Sequence, residues 1–296
     1  MPFPVSRPVS ARPVSEGSRL RAGVATVAGG PAAYLSVGSG GVPVLLLHGF
    51  AGDRLTWQFN LSALSARRRA IAVDLPGHGG STPDVGSGRV ADFAPWLVEF
   101  LDGLELPRVH LVGHSMGGYV ARELAWLAPD RVASLTLLSS AGLGTPFDLD
   151  FLRRAIAPAD VAEGRACAER LFAGPSPLIP RFGEVLHAQG ADPVRRAALE
   201  RIIEVSFAAH ADGGGPPVDW SAYPMPVQVL WGREDRIIPL PPANRLPPDA
   251  PFRVFDNAGH LPHIETASPV TAAIRSFLDG CDDGQSGHPS AEPTRP

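Results

Sequence analysis

A serine flanked by small residues is the clearest candidate for a reacting group in this sequence. Ser115 lies in the segment GHSMGG (113–118), which follows an apolar run typical of a strand and opens a helical pattern. This context is typical of a nucleophile elbow, in which glycines two positions before and after the serine avoid collisions with neighbouring backbone. The helix beginning at Met116 directs free N–H groups towards the same point, which favours negative charge there. We therefore predict a nucleophilic Ser115 rather than a serine that only caps a helix.

A serine hydroxyl is a weak nucleophile at neutral pH and needs an adjacent base. His260, in the segment NAGH (257–260), lies in a loop after the last predicted strand and before the last predicted helix. The preceding glycine permits a tight backbone that turns the imidazole inwards. His263, three residues later, is the alternative base, and the chain order of such sites favours His260.

The imidazolium formed during the reaction needs an acidic partner. Asp235, in the segment GREDRIIP (232–239), directly follows a predicted strand, and Glu234 is its neighbouring rival. Asp256 is too close to His260 in sequence to be the natural partner. No acid follows the strand that ends near Leu138, where the chain reads SSAG (139–142). We therefore predict Asp235 as the residue that orients His260.

The segment HGFAG (48–52) follows the first predicted buried strand. In a fold with this elbow, such a loop provides one N–H of an oxyanion hole, and the residue after the nucleophile provides the other. We therefore predict the N–H groups of Phe50 and Met116 as donors. We expect three further residues at the substrate pocket: His48, Gly49 and His114.

The segment DLPGHG (74–79) also carries polar groups, but Asp and His around a Pro-Gly turn commonly stabilise the turn itself. We assign this loop a structural role. A metal site on His48 or His78 lacks partner ligands at a useful spacing, and we predict neither a metal nor another cofactor.

Short apolar runs alternate with helical patterns along most of the chain. The predicted strands are Val42–Leu47, Ala70–Val73, Val109–Val112, Leu135–Leu138, Val227–Trp231 and Phe252–Phe255. These runs lack polar alternation and are predicted to be buried on both faces. The predicted helices include Val90–Leu104, Met116–Ala128 and Pro269–Leu278. The pattern predicts an α/β fold with a mostly parallel sheet and helices on both faces, preceded by an antiparallel hairpin of Arg19–Val27 and Ala32–Val37.

The alternation of strands and helices is interrupted once. Residues 144–222 are helical in pattern and rich in Arg and Pro, which predicts a helical lid over the carboxyl ends of the strands. Apolar lid residues, among them Phe147 and Phe172, are expected to line the substrate pocket. The core is assigned to 19–143 and 223–279. The Pro-, Ser- and Gly-rich ends, 1–18 and 280–296, are predicted to be disordered tails.

The bulk composition limits the classes of partner. The 296-residue chain has a net charge of −4, and no run of one sign favours nucleic acid or an anionic membrane surface. No apolar run has the length needed to cross a bilayer, and the N-terminus lacks an apolar signal core. With 2 cysteines at unremarkable spacing, we expect a cytoplasmic protein that binds a small-molecule substrate. The sequence indicates no oligomeric state.

Taken together, HGF (48–50), DLPGHG (74–79), GHSMGG (113–118), GREDRIIP (232–239) and GH (259–260) resemble the α/β-hydrolase family over residues 20–279. Three further segments look like the hydrolase-like domain of the acetoin dehydrogenase E2 component: GFAGDRLTWQFN (49–60), SLTLLSSAGLG (134–144) and LFAGPSPL (171–178). The serine at the elbow departs from the epoxide hydrolases and haloalkane dehalogenases of the same fold, which use aspartate.

The resemblance and the residues together predict hydrolysis of a small or medium ester, thioester or activated carbonyl compound through an acyl-serine intermediate. One alternative is hydrolysis of a C–C bond in a β-diketone-like substrate by the same residues. Another is a non-catalytic binding protein related to the acetoin E2 component. The E2 component carries a lipoyl-lysine, whereas all 26 basic residues of this chain other than histidine are arginine. We therefore expect no swinging-arm acyl transfer by this polypeptide.

Overall fold

A computed structural model describes residues 19–213 and 217–285. Its sheet has eight strands in the order β1-β2-β4-β3-β5-β6-β7-β8. The strands are β1 Arg21–Val27, β2 Gly30–Val37, β3 Val44–Leu47, β4 Ala70–Val73, β5 Val109–His114, β6 Val132–Leu138, β7 Val227–Gly232 and β8 Phe252–Phe255. β2 pairs antiparallel with β1 and with β4, and the remaining pairs are parallel. The predicted α/β fold and the antiparallel hairpin are confirmed.

The central strands are buried along their whole length, as predicted for β3, β4, β5 and β6. The prediction was wrong for the last strand, β8. Among the described strands it pairs with β7 alone, and Phe252 at its start is 41% exposed. A short apolar run has the same sequence pattern in a central strand and at an edge, so the pattern could not distinguish the two positions.

Helices cover both faces of the sheet. The helices of the core are α1 Leu61–Leu64, α2 Phe93–Gly103, α3 Met116–Leu127, α8 Pro262–Glu265 and α9 Ala267–Gln285, and those of the lid are α4 Leu149–Ala155, α5 Val161–Leu171, α6 Ile179–Gly190 and α7 Pro193–Ile202. Alternate residues of β3 face opposite sides of the sheet: Leu45 packs in the cluster with α2 and α3, and Leu46 packs in the cluster with α1 and α9. This two-layer burial follows from the period of two along a strand.

The lid helices α4 to α7 lie between β6 and β7, in the segment predicted to be a helical insertion. The described part of residues 144–222 contains no strand. Aspartate side chains at the N-caps of α4, α5 and α7 accept N–H groups of the first turn. α5 and α6 pack closely at two glycines. A Cβ added at Gly164 would lie 2.4 Å from the carbonyl oxygen of Gly183, so no larger residue fits there.

The C-terminal helix is longer than predicted. α9 continues to Gln285, whereas the disordered tail was predicted to begin at residue 280. Arg68, whose side chain is 1% exposed, forms ion pairs with Asp279 and with Asp282 of this helix, the latter at 2.9 Å. Arg68 is more than 200 residues away from both aspartates. The composition of the C-terminal segment therefore gave no sign of these ion pairs. Residues 1–18 and 286–296 lie outside the described residues. Within the described ranges, no helix is both long and apolar enough to span a membrane.

Candidate active site

Ser115 occupies a sharp turn between β5 and α3. Its backbone has φ 53° and ψ −118°, a conformation that L residues rarely adopt. The neighbouring glycines are required by space, because a Cβ at Gly113 would lie 2.3 Å from the carbonyl oxygen of Gly117. A Cβ at Gly117 would lie 2.5 Å from the carbonyl oxygen of His48. The turn therefore has the geometry that the GHSMGG segment predicts.

His260 and Asp235 form a buried pair next to this turn. Nδ1–H of His260 donates to Oδ2 of Asp235 at 2.9 Å, which leaves Nε2 as the nitrogen able to take a proton. The other carboxylate oxygen, Oδ1, accepts the N–H groups of Ile237 and Ile238 at 2.9 Å each. Both oxygens of Asp235 thus have fixed partners, so its orientation and that of the imidazole are defined.

The rival residues have other partners. Glu234 accepts the N–H of Ala258 at 3.1 Å, and Asp256 pairs with Arg233 on the surface. His263 is completely buried, with Nε2 bonded to Thr56 Oγ1 at 2.9 Å. Burial, aided by the charge of His260, lowers the pKa of His263 to about 3. The side chain of His263 is therefore a neutral structural group. The histidine that the structure brings to Asp235 is His260.

Three imidazoles, including that of His260, and an indole pack against one another with tilted ring planes. The ring of His114 lies 4.8 Å from that of His260 and 4.6 Å from that of His263, which in turn lies 4.5 Å from Trp57. Nε2–H of His114 donates to the carbonyl oxygen of His260 at 2.7 Å. Burial and the neighbouring histidines hold the pKa of His114 well below its usual value. His114 lines the cavity as predicted, and it also supports the backbone of His260.

The loop after β3 is held in place by two histidines. His48 accepts the N–H of Leu75 through Nε2 at 3.0 Å and donates through Nδ1 to its neighbour's carbonyl at 2.8 Å. His78 accepts the N–H of Ala51 at 3.2 Å and donates to Pro76, and burial lowers its pKa to about 3. The structural role assigned to the DLPGHG loop agrees with these bonds.

The prediction of His48 as a pocket residue was wrong. Its ring lies under the loop rather than in the cavity, because both nitrogens bond to backbone groups. Gly49 does line the cavity. A Cβ at Gly49 would lie 2.8 Å from Nδ1 of His114, so only glycine leaves room for the imidazole.

A cavity of about 210 Å³ opens between the sheet and the lid. Ser115, His114 and His260 line its floor. Its walls are mainly apolar side chains of the lid helices, of the loop after β3 and of the residue after His260: Phe50, Leu55, Phe151, Leu152, Ala155, Leu171, Phe182, Val185, Leu186 and Leu261. This composition is typical of small-molecule sites. Within the described residues, no group of His, Cys, Asp or Glu is arranged to hold a metal ion.

Of the two lid phenylalanines predicted for the pocket, Phe147 lines a space that Ser115 also borders, whereas Phe172 does not. Phe172 is 1% exposed and packs edge-on against Phe182, with ring centroids 5.3 Å apart. Phe182 is the residue that reaches the cavity. Phe147 lines a smaller apolar recess on another side of Ser115, where Phe50 and Met116 also lie. Helical spacing predicted an apolar lid face but could not indicate which turn of it meets the site.

One supporting residue was missed. Glu265 accepts the N–H of Gly259 through Oε1 and the N–H of Ala173 through Oε2, each at 2.7 Å. Its carboxylate joins the histidine loop to the lid. In the sequence, Glu265 is only an acid five positions after His260, and acids are common in surface helices. Its role therefore became visible only in the tertiary structure.

Comparison with known proteins identifies the family of this chain. Residues 44–274 match the profile of the Alpha/beta hydrolase family. The chain belongs to this family. The resemblance predicted from the motifs is confirmed.

Two relatives carry the name dihydrolipoyllysine-residue acetyltransferase component of acetoin cleaving system. The Pseudomonas putida protein is 38% identical over 245 residues, which is 81% of this chain and 64% of the relative. The Cupriavidus necator protein is 34% identical over 249 residues, 83% of this chain and 66% of the relative. The chain thus spans less than two thirds of either protein. A 2-hydroxy-6-oxononadienedioate/2-hydroxy-6-oxononatrienedioate hydrolase of Cupriavidus pinatubonensis is 29% identical, covering 81% of this chain and 88% of the relative.

Solved structures of hydrolases share the fold. A bacterial membrane phospholipase A is 26% identical, with a TM-score of 0.76 over 88% of this chain and 86% of that chain. A 2-hydroxy-6-oxo-6-phenylhexa-2,4-dienoate hydrolase from Rhodococcus sp. strain RHA1 is 23% identical, with a TM-score of 0.76 over 88% and 100%. The latter likeness concerns the fold alone.

Proposed function

We propose that this protein is a serine hydrolase that cleaves a small or medium ester, thioester or activated carbonyl compound through an acyl-serine intermediate. The observation that carries the proposal is the buried His260–Asp235 hydrogen bond of 2.9 Å beside the strained Ser115, in a cavity that Ser115 and His260 line together. A nucleophile, a base and a group that orients the base are the parts such catalysis requires.

The reaction begins when Ser115 Oγ attacks the substrate carbonyl carbon and its proton passes to His260 Nε2. Asp235 stabilises the resulting imidazolium. The oxyanion accepts hydrogen bonds from the N–H groups of Phe50 and Met116, two residues that flank Ser115 in the apolar recess. Met116 is the first residue of α3, so its N–H has no partner within the helix. Loss of one such donor typically costs about 3 kcal/mol of transition-state stabilisation.

The intermediate collapses when His260 Nε2 returns its proton to the leaving oxygen or sulfur, and the acyl group remains on Ser115. A water then gives one proton to His260 Nε2 and attacks the acyl carbon. The second collapse releases the acid and restores the serine hydroxyl. Every proton in this cycle passes through His260, and no step requires a cofactor.

A second candidate is hydrolysis of a C–C bond in a β-diketone-like acid by the same residues. The supporting observation is Arg181, which lines the cavity beside Phe182. Its exposed ion pair with Glu184, at 3.0 Å, is of a kind worth less than about 1 kcal/mol, so the guanidinium could exchange it for a substrate carboxylate. The acetyltransferase activity in the names of the two acetoin relatives is not carried over to this chain, which spans only 64% and 66% of their lengths.

The proposal is tested with p-nitrophenyl esters and the Ser115→Ala variant. We expect ester turnover to fall by at least about 10⁴-fold while the circular dichroism spectrum is unchanged, because one small hydroxyl is removed. A fluorophosphonate should add one label to the wild type, seen by intact mass, and none to Ser115→Ala.

The exposed Ser62→Ala variant, as a control, should behave like the wild type. Turnover of Ser115→Ala within tenfold of wild type would reject the nucleophile. Binding of esters without turnover or labelling in the wild type would indicate a binding protein.

A further inference from the structure

Two separate spaces meet at Ser115. One is the cavity of about 210 Å³ under the lid, and the other is a recess of about 30 Å³. Phe50, Ser115 and Leu152 border both spaces. His260 borders only the large cavity, whereas Met116 borders only the recess. The two sides of the serine therefore differ in size and in access to the base.

The chemistry of acyl transfer assigns a substrate part to each space. The leaving group must receive its proton from His260 Nε2, so it lies in the space that His260 lines. The acyl substituent lies on the other side of the same carbonyl carbon, away from the imidazole. Once the leaving group occupies the large cavity, the acyl chain enters the recess.

The recess admits only a short apolar chain. Apart from Ser115 its lining is apolar: Phe50, Met116, Ala141, Phe147, Leu152, Phe207, Ile237 and Ile238. Since about 10–15 Å³ holds one water molecule, its volume holds roughly two or three heavy atoms. The oxyanion takes the N–H groups of Phe50 and Met116, so a charged or hydroxylated acyl chain would lose its hydrogen bonds to water and find no further partner in the recess.

The walls of the recess resist expansion. The ring of Phe207 packs edge-on against Phe50, with centroids 5.3 Å apart, and against Phe147 at 5.9 Å. On the opposite side, the N–H groups of Ile237 and Ile238 are bonded to Asp235, so moving this wall would disturb the partner of His260. A longer acyl chain therefore cannot enter without a cost to packing or to the base.

We propose that this hydrolase acts on acetyl and propionyl esters or thioesters that carry a larger, mainly apolar leaving group. The short acyl chain occupies the recess, and the leaving group occupies the cavity lined by Leu171, Phe182 and Val185. This inference rests on the proposed acyl-serine mechanism. It defines the substrate class by the length of the acyl chain that the recess admits, rather than by the shape of the cavity under the lid.

Three residues, Ala141, Phe147 and Phe207, lie between the recess and a depression of the surface. Phe147 and Phe207 line both the recess and a surface depression of about 450 Å³ behind it. Phe147 is only partly buried, so its truncation should be tolerated and should open the recess outwards. Phe182, equally partly buried in the large cavity, offers a matched phenylalanine on the leaving-group side.

The experiment measures kcat/KM for two ester series with wild type, Phe147→Ala and Phe182→Ala. One series varies the acyl chain of p-nitrophenyl esters from acetate to octanoate, and the other varies the alcohol of acetate esters from methyl to hexyl. For the wild type we expect at least about a tenfold fall from propionate to hexanoate, and a rise with alcohol length. Ratios within a series cancel any loss of folded protein.

Phe147→Ala should raise the hexanoate-to-acetate ratio at least tenfold and leave the alcohol ratio within twofold. Phe182→Ala should change the alcohol ratio and leave the acyl ratio within twofold. Ser115-dependent turnover in which the wild type prefers hexanoate to acetate would overturn this inference alone, as would equal shifts in both variants. Absence of Ser115-dependent turnover of every ester would overturn the proposed function, and the inference with it.

Discussion

The main-chain N–H of His260 donates a hydrogen bond of 2.8 Å to the carbonyl oxygen of Leu171, the last residue of lid helix α5. Glu265 reinforces the junction, since it accepts one N–H from the lid and one from the histidine loop. The lid and the proposed base are therefore positioned as one unit. A displacement of the lid would move His260 relative to Ser115.

Glu265 is accordingly expected to act as a positioning residue. Glu265→Ala leaves the N–H groups of Ala173 and Gly259 without their acceptor, so the histidine loop should shift. We expect kcat to fall about 10- to 100-fold with KM nearly unchanged, because small misplacements of a catalytic group carry costs of this size. The matched control is the exposed lid variant Glu184→Ala, which should leave kcat within twofold. Equal kcat values for the two variants would contradict the assigned role.

The two neighbouring histidines should behave differently when replaced. His260→Ala should be about as damaging to kcat as Ser115→Ala, because members of a catalytic triad act as a unit. His263→Phe keeps a ring against Trp57 but loses the bond to Thr56, so it should cost about 1–3 kcal/mol in free energy of unfolding and leave kcat within tenfold. Ester kinetics and urea unfolding measure the two effects. The reverse ranking in kcat would transfer the role of base to His263.

Acidification should destabilise the protein through its buried neutral histidines. The pKa values of His78 and His263 are each about 3 in the folded state, mainly because of burial, against 6.5 in the unfolded chain. Their contribution to the free energy of unfolding is complete above pH 6.5. It is lost as pH falls towards 3, because the unfolded chain then binds protons that the folded state does not. Each such proton contributes a slope of about 1.4 kcal/mol per pH unit.

The slope is measured by urea unfolding at intervals from pH 6 to pH 4. His263→Phe should reduce the dependence of the unfolding free energy on pH by about 1.4 kcal/mol per unit, the share of one proton. Ser62→Ala serves as the surface control and should retain the wild-type slope. Parallel curves for wild type and His263→Phe would show that His263 binds its proton equally in both states.

The end of α9 should contribute to stability through one of two adjacent aspartates. Asp282 bonds to the buried Arg68 at 2.9 Å and to His110 at 3.1 Å, whereas Asp283 is 71% exposed with Arg67 at 3.7 Å. Asp282→Ala should lower the free energy of unfolding by about 2–4 kcal/mol, because it removes a partner from buried groups. Asp283→Ala should change it by less than about 1 kcal/mol. Equal losses in urea unfolding would mean that the contacts of Asp282 stabilise the fold no more than the exposed pair of Asp283.

The sequence alone determined the local geometry at the centre of the site. The sharp turn at Ser115 depends on residues two positions away, so the glycines of GHSMGG were sufficient to predict it. The parallel core strands and the chain order of Ser115, Asp235 and His260 followed from the same short-range patterns. Such features depend on neighbours in the chain, where periodicity and steric limits are visible without a structure.

The tertiary structure decided which of several similar side chains meets the site. His263 is neutral and structural because it is buried against Thr56 and Trp57, although it lies only three residues from His260 in sequence. Phe182 lines the cavity, whereas Phe172 is buried against the ring of Phe182. The exposure of β8, the length of α9 and the recess beside Ser115 likewise depend on contacts between distant segments. A linear pattern carries the apolar or polar character of each residue, but burial and proton affinity arise only from the partners that folding supplies.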